Sequence, residues 1–414
     1  MMRKQEKQTL VPKLRFPEFR EAGEWEEKRL GDVGSVRMCK RILKEQTSPR
    51  GDIPFYKIGT FGGVPDAYIS REIFENFRNG YPFPKNGAVL ISASGTIGRT
   101  VRYNGELAYF QDSNIVWLDN SEKLITDDFL FYLYQLIDWS PSVGAIQRLY
   151  NENILGAQVK FPSIPEQQKI ADCLASLDEL ITLKAQQLDT LKTHKKGLMQ
   201  QLFPAEGETM PKLRFPEFRD AGEWEGKSVG DFGEVVTGST PSTVRREFYG
   251  GGIPFVSPAD ISDLRFVNET KTTLTALGFG ETRPIKASSV LVVCIGSTIG
   301  KVTQNVRDCA TNQQINSVIP NIEHSGGFVY YLLSLNAERI ANLAGRQAVP
   351  IINKTQFSSV RLFVPKLGEQ ERIADCLASI DELITAQTQK LAALKIHKNG
   401  LMQQLFPVLD EVVA

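Results

Sequence analysis

Apolar residues recur with a strict 4-3 spacing in two stretches of the chain. In the first, Ile170, Leu174, Leu177, Ile181, Leu188, Leu191, Leu198 and Leu202 carry the series, with Lys184 and Lys195 at its polar positions. The second runs through Ile373, Leu377, Ile380, Ile384, Leu391, Leu394, Leu401 and Leu405, with Gln387 and Lys398 polar. A 3.5-residue period sustained over about four heptads predicts long helices of coiled-coil type. Ser163-Ile164-Pro165-Glu166 reads as a capping box with proline in the first turn, and Pro204 and Pro407 stop the helices. A helix from about residue 166 to 203 would be roughly 55 Å long. Amphipathic helices of this length need a partner, and the second stretch, running back, makes an antiparallel pair. Lys184 and Gln387 then fall near the helix midpoints, where polar seam residues set register at a cost in stability.

Outside these stretches the pattern changes to short β-branched runs broken by Gly, Pro, Asn and Asp. Ala88 to Ser92 and Ser289 to Val293 read as strands, each leading into a Gly-containing loop, Ser94 to Arg99 and Gly296 to Lys301. These parts read as mixed, loop-rich domains, so the fold class is α+β. The chain is also duplicated. Lys13-Leu14-Arg15-Phe16-Pro17-Glu18-Phe19-Arg20 returns as Lys212 to Arg219, and both runs continue through Ala-Gly-Glu to Trp25 and Trp224. Ile170 to Ser176 returns as Ile373 to Ser379, and Gly197 to Pro204 as Gly400 to Pro407. The offset grows from 199 residues (211 − 12) to 203 (407 − 204), so the second copy gained a net four between the shared blocks. A period this long marks a duplicated domain. The expected layout is a disordered lead (1–11), a globular part (12–162) and a long helix (163–204). A second globular part (205–363), a second helix (364–407) and a tail (408–414) follow.

Composition adds limits. The chain has 414 residues, 48 basic and 48 acidic, so its formal charge is zero and no overall positive coat exists to attract nucleic acid. The distribution is less even: from Arg37 to Phe110 eleven basic residues face six acidic ones, 11 − 6 = +5. No apolar run approaches the roughly 18 residues of a membrane span, and the charged N-terminus is followed by no apolar core of a secretory signal. The five cysteines form no C-x-x-C pair, which together with the missing signal predicts a reduced, cytoplasmic setting.

Catalytic motifs are missing. Gly296-Ser297-Thr298-Ile299-Gly300-Lys301 lacks one residue of a phosphate-binding P-loop and has Val302 where Ser or Thr must meet magnesium. Only His194, His324 and His397 exist, two of them on the long helices, so no metal or His-dependent site is expected. No Pro-Pro dipeptide occurs, and with it no loop of the amino-methyltransferase kind. What remains suits reading a surface. Ser94, Thr96 and Arg99 in one copy, and Ser297, Thr298 and Lys301 in the other, offer hydroxyls, backbone N–H groups and a cation to a phosphate. Gln111-Asp112-Ser113-Asn114 and Asn312-Gln313-Gln314 place amides at strand-like positions, apt for adenine edges. Gln147-Arg148 and Arg346-Gln347 pair an amide with a guanidinium, apt for purines. Arg37, Lys40, Arg41, Arg102, Thr240, Ser242 and Lys354 complete the candidate DNA-contacting set.

The layout resembles the DNA-specificity subunits of type I restriction–modification systems, the HsdS family. The likeness covers nearly the whole chain. It rests on Pro-x-Leu-Arg-Phe-Pro followed by Trp25 or Trp224, on Glu166-Gln167-x-x-Ile170-Ala171 and Glu369-Gln370-x-x-Ile373-Ala374 opening the helices, and on Lys-x-Gly-Leu-Met-Gln-Gln-Leu-Phe closing them. Thr237-Gly238-Ser239-Thr240-Pro241-Ser242 is similar to the Thr-Gly-Gly-Thr-Pro-Ser loop of such domains, whereas the first copy departs there with Arg37-Met38-Cys39-Lys40-Arg41. The resemblance implies a non-catalytic reader in which each globular part is a target-recognition domain for one half of a bipartite, double-stranded DNA sequence. It implies a helix pair that spaces the readers and docks methyltransferase subunits, two in number, and a further restriction and translocase subunit. S-adenosylmethionine, ATP and magnesium would belong to those partners, with no cofactor in this chain. A rod of roughly 55 Å is long enough to hold readers one DNA turn apart, about 34–36 Å. A protein-binding coiled-coil scaffold is the alternative. It accounts for the helices but not for duplicated parts that differ mainly in their middles.

Overall fold

The computed structural model describes residues 10–139, 148–262, 264–345 and 349–407. Both heptad stretches are single helices, Ile164–Leu202 and Leu367–Leu405, each about 58 Å long for its 39 residues. The chain divides into two compact units, residues 1–182 with 393–414 and residues 183–392. The division cuts the first long helix near its middle and the second about two thirds of the way along. Each unit therefore holds one globular part, the leading portion of its own helix and the far portion of the other copy's helix.

In the first unit, strands β1 (Glu26–Arg29), β2 (Gly34–Met38), β3 (Ile53–Tyr56), β4 (Tyr68–Ile69), β5 (Val89–Ser92), β6 (Thr100–Arg102), β7 (Tyr109–Phe110), β8 (Ile115–Asn120) and β9 (Gln158–Phe161) form three sheets. The order in the largest is β2-β8-β5-β6, all antiparallel; a second is β4-β3-β7, and β1 pairs with β9. Val89, Leu90, Ile91 and Ser92 are all buried because β5 is covered on both faces. Val89 and Ile91 face the core that contains Trp25, Phe129, Ile170 and Leu174, while Leu90 joins Phe55, Tyr109 and Trp117 on the other side. Alternation along a strand thus sorts one apolar run into two cores.

The second unit repeats the plan with β10 (Glu225–Ser228), β11 (Gly233–Thr237), β12 (Tyr249–Val256), β13 (Phe266–Val267), β14 (Thr272–Leu274), β15 (Val290–Val293), β16 (Val302–Asn305), β17 (Ala310–Thr311), β18 (Ile315–Pro320) and β19 (Arg361–Val364). Its main sheet is β11-β18-β15-β16-β13, one strand wider than its counterpart, with β14-β12-β17 beside it and β10 paired to β19. Val290 and Val292 take one core, and Leu291 and Val293 the other.

The helix ends are part of these cores. Met402, Leu405 and Phe406 are buried in the first unit, where Phe406 stacks on Phe129 at 5.1 Å and meets Trp25 edge-on at 6.0 Å. In the second unit Met199, Leu202 and Phe203 do the same, Phe203 stacking on Phe328 at 5.3 Å and meeting Trp224 at 6.0 Å. The repeated Gly-Leu-Met-Gln-Gln-Leu-Phe-Pro is therefore a peg that closes the core of the opposite copy.

Glu166, read from the sequence as half of a capping box, has another task. Both its oxygens are held by Arg15, Nε and Nη2 at 2.7 Å each, while Nη1 donates to the Gly23 carbonyl. Arg214 holds Glu369 and Gly222 in the same way. The neighbouring Gln167 is buried, accepts from the Thr126 N–H and donates to the Leu124 and Pro162 carbonyls. The Glu-Gln pair thus ties the leading segment and the preceding loop to the first helical turn, which explains why both residues recur in both copies.

The seam residues Ile170, Leu174, Leu188, Ile373, Leu377 and Ile380 are buried, and Leu177, Ile181, Leu191, Ile384, Leu391 and Leu394 half-buried. The helices run antiparallel within each unit. Gln387 donates to the Lys184 carbonyl (3.3 Å) and to Gln187 Oε1 (3.2 Å), while the Lys184 ammonium turns to Gln187. Stronger polar contacts lie elsewhere on the seam. Lys195 pairs with Asp381 at 2.6 Å, and Asp381 also accepts from the Tyr331 hydroxyl, whose ring lies under the same ammonium. Lys398, Asp178 and Tyr132 repeat this arrangement in the first unit. Burial and the adjacent carboxylate push both tyrosine hydroxyls up from their ordinary pKa.

Candidate nucleic-acid interface

In an antiparallel sheet ordered β2-β8-β5, the exits of β2 and β5 and the start of β8 share one end. Topology alone therefore gathers the segment after Met38, the Ser94–Arg99 loop and the 111–114 turn. Side chains join them. Arg41 Nε donates to Asp112 at 2.8 Å, Ser94 Oγ donates to Asn114 Oδ1 at 2.9 Å, and Arg148 Nη2 donates to the Ser113 carbonyl at 3.0 Å. Arg148 also bridges Ser94 through the backbone. Gly98 turns at φ +80° with Trp139 directly against it, so the loop keeps glycine for both conformation and space. Ser92 Oγ donates to the Thr96 carbonyl and accepts from the Arg99 N–H, and Arg99 Nη1 donates to the Phe61 carbonyl.

The second unit builds the same end from different residues. Thr237 donates to Asn316 and Thr240 to Gln313 at 2.8 Å, and the Ser239 N–H donates to the Thr311 carbonyl. A Cβ on Gly238 would lie 2.2 Å from the Asn312 carbonyl oxygen, so the loop lies flat on the turn only with glycine there. The Gly296 N–H reaches the Pro350 carbonyl, Ile295 bridges Ile351, and Lys301 Nζ donates to the Ile261 carbonyl at 3.1 Å. Ser242, Ser297, Lys301, Gln313 and Lys354 are exposed and Thr298 half-buried; Lys354 opens a short helix just beyond the Ile351 bridge.

Several expectations change. The Gln111–Asn114 and Asn312–Gln314 segments lie between strands and form turns at their centres, with Ser113 at φ +55°. Two of their amides are spent internally, and the other three give up only their oxygen. Gln111 Oε1 accepts from the Ile58 N–H, and Asn312 and Gln314 bind each other. Asn114 Oδ1 and Gln313 Oε1 accept from Ser94 and Thr240, so Gln111, Asn114 and Gln313 each keep an amide nitrogen without a partner among the described residues. Arg102 ends β6 at the opposite edge of the sheet, paired with Asp128 at 2.8 Å and stacked on Phe131, so it is outside the cluster. Arg37 pairs loosely with Asp119 on the exposed sheet face, and Lys40 lies over the Tyr81 ring. Gln147, Arg346 and Gln347 lie outside the described residues. Sequence reasoning missed Arg283, which donates to the Thr237 carbonyl and, through its N–H, to Ser239. No local motif signals it, because only the fold brings it to that loop.

Burial pushes the Cys39 and Cys309 thiols up to about 12 and Cys294 up to about 11, which leaves them protonated and unreactive at neutral pH. Among the described residues no group of His, Cys, Asp and Glu could hold a metal ion, and no helix is long and apolar enough to cross a membrane. The site offers hydroxyls, amides and guanidinium groups on a rigid sheet end, which is equipment for recognition.

The model of the type I restriction modification DNA specificity domain matches this chain twice, at residues 22–193 and 221–395. The chain belongs to that family. It is a DNA-recognition component, and the family's specificity subunits are not the catalytic ones. Similar relatives include a putative type I restriction enzyme specificity subunit of Haemophilus influenzae, 55% identical over 152 residues, which are 36% of this chain and 40% of that relative. The HindI specificity subunit of the same organism is 23% identical across 83% of this chain and 90% of its own length. The chain thus spans less than half of the first relative and most of the second. Among solved structures, the S subunit of the type I restriction-modification system of M. genitalium superposes with a TM-score of 0.66 at 14% identity, covering 97% of this chain and all of that one. At that identity the likeness concerns the fold, and the specificity subunit described here shares it.

Proposed function

We propose that this specificity subunit reads an asymmetric DNA target in two parts, one part per unit, and that its long helices dock methyltransferase subunits. The observation that carries this reading is the repeated sheet end. The same three segments meet there in both units, on a shared frame, but with Arg41, Asp112, Ser94, Asn114 and Arg148 in one and Thr240, Gln313 and Ser239 in the other. Equal frames with unequal reading groups match two different half-sites. Arg99 and Lys301 are assigned to phosphates, and Gln313, Arg148 and Arg346 to bases. The partners proposed are duplex DNA, two methyltransferase subunits and a restriction and translocase subunit, with S-adenosylmethionine, ATP and magnesium used in those partners, in the cytoplasm. Zero net charge fits a reader whose partners supply much of the phosphate contact. The test is selection of bound duplexes from a random pool by the subunit together with its methyltransferase partner, followed by sequencing. A bipartite motif of fixed spacing is expected; binding without any enriched sequence overturns the reading.

A further inference from the structure

Each unit carries a second feature at its reading end that the candidate residues leave out. In the first, the loop from β2 to β3 is pinned by Arg41 on Asp112 and by the Tyr109 hydroxyl on the Lys40 carbonyl, and it closes through paired backbone bonds between Ser48 and Tyr68. Between those anchors a short 3-10 turn, Lys44–Gln46, lifts Leu43 into solvent at 55% exposure, with the exposed Lys44 beside it. In the second, the loop from β11 to β12 is pinned by Thr240 on Gln313 and by the Tyr249 hydroxyl on the Pro241 carbonyl; buried Phe248 closes it. Another 3-10 turn, Arg246–Phe248, begins two residues after Val244, which is 87% exposed, and Arg246 is exposed without a side-chain partner among the described residues.

The two loops share no sequence at their tips, yet both hold an aliphatic side chain outward on an anchored turn that starts with a cation. Scattered exposed apolar residues are ordinary. Here an exposed aliphatic residue comes just before a 3-10 turn in both units, at the end where the reading groups gather. An aliphatic probe gains only by leaving water against another apolar surface, and the apolar feature of a base edge in the major groove is the thymine 5-methyl. The anchoring removes most of the ordering cost of such a contact. Resting on the DNA-reading function above, we infer that Leu43 and Val244 each contact the methyl of a thymine in their own half-site, while Lys44 and Arg246 neutralise the adjoining phosphate.

The test uses the subunit with its methyltransferase partner and compares duplexes selected by the wild type, Leu43→Ala and Val244→Ala. Each variant is expected to relax one T·A position in one half-site and leave the other half unchanged. Replacing that thymine with deoxyuridine in the selected duplex should weaken wild-type binding about fourfold, the worth of one buried methyl, and the matching variant hardly at all. Lys44→Ala and Arg246→Ala should weaken all sequences alike and lower the salt slope by about one. If the wild type enriches its motif and the alanine variants enrich the same motif at equal strength, the probe assignment is wrong and the reading function stands. If a position relaxes but deoxyuridine has no effect there, the methyl contact is wrong. If the wild type enriches nothing, the reading function falls and this inference with it.

Discussion

Phe203 comes from the first copy but closes the core of the second unit, and its truncation tests that exchange directly. It is 2% exposed, stacked on Phe328 at 5.3 Å and edge-on to Trp224 at 6.0 Å. Removing a fully buried phenylalanine ring costs about 3–5 kcal/mol through lost transfer energy and an unfilled cavity. For a unit spanning Leu183–Ala392, each kcal/mol moves the midpoint by roughly 2–4 °C. Phe203→Ala should thus lower melting of this unit by about 6–20 °C. Hydrogen exchange followed by mass spectrometry resolves where the loss falls. Amides of β15 and β18 that open with the whole unit should exchange about a hundredfold to several thousandfold faster, since about 1.4 kcal/mol is a factor of ten. Strands β5 and β8 should keep their protection. Phe406→Ala should reverse the pattern. Equal loss in both units, or loss confined to β5 and β8 on Phe203→Ala, refutes the assignment of the pegs.

Three further outcomes are expected. Arg15→Ala leaves Glu166, 1% exposed, as an unpaired buried carboxylate and should cost about 3–5 kcal/mol by urea denaturation. Arg15→Lys should recover little, because a lysine cannot bind both oxygens as a fork; full recovery would show that charge alone matters. His324 is buried with Nδ1 on Asn321 Oδ1 and no partner for Nε2 among the described residues, and burial holds its pKa below the ordinary value. A group with a lowered folded pKa supports stability above its unfolded pKa, near 6.5, and loses that support as pH falls towards the folded value. The melting temperature of the second unit should therefore drop more between pH 7.5 and 5.5 in the wild type than in His324→Phe; parallel drops would remove His324 as the cause. Arg99→Ala and Lys301→Ala should each weaken DNA binding for all sequences and reduce the salt slope by about one unit, read from binding constants at several salt concentrations.

The long helices were legible because a heptad period is a local property, repeated often enough along one segment to outweigh any single residue. The duplication was legible for the same reason, and so were the buried strands Val89–Ser92 and Val290–Val293. The reading end was legible only as a set of residue types. Asn312 and Gln314 have the chemistry of base readers, but their amides bind each other across the turn and the Ile295 carbonyl, and Gln111 gives its amide oxygen to the distant Ile58 N–H. Arg102 sits in the same basic stretch as Arg99, yet three residues of strand carry it to Asp128 at the other edge.

Periodicity and repeats are carried by neighbours in sequence, so the chain by itself determined the helix pair and the two-copy plan, and the family's shared motifs carried the class of function. Tertiary structure decided what each shared motif is for. Arg15 and Glu166 lie 151 residues apart, and Phe406 reaches Trp25 from the opposite end of the described chain. Contacts of that range depend on two separate helices and two sheets being packed at once, and no local window of residues encodes them. The same holds for the loops bearing Leu43 and Val244, whose tips stand outward only because distant turns hold their bases.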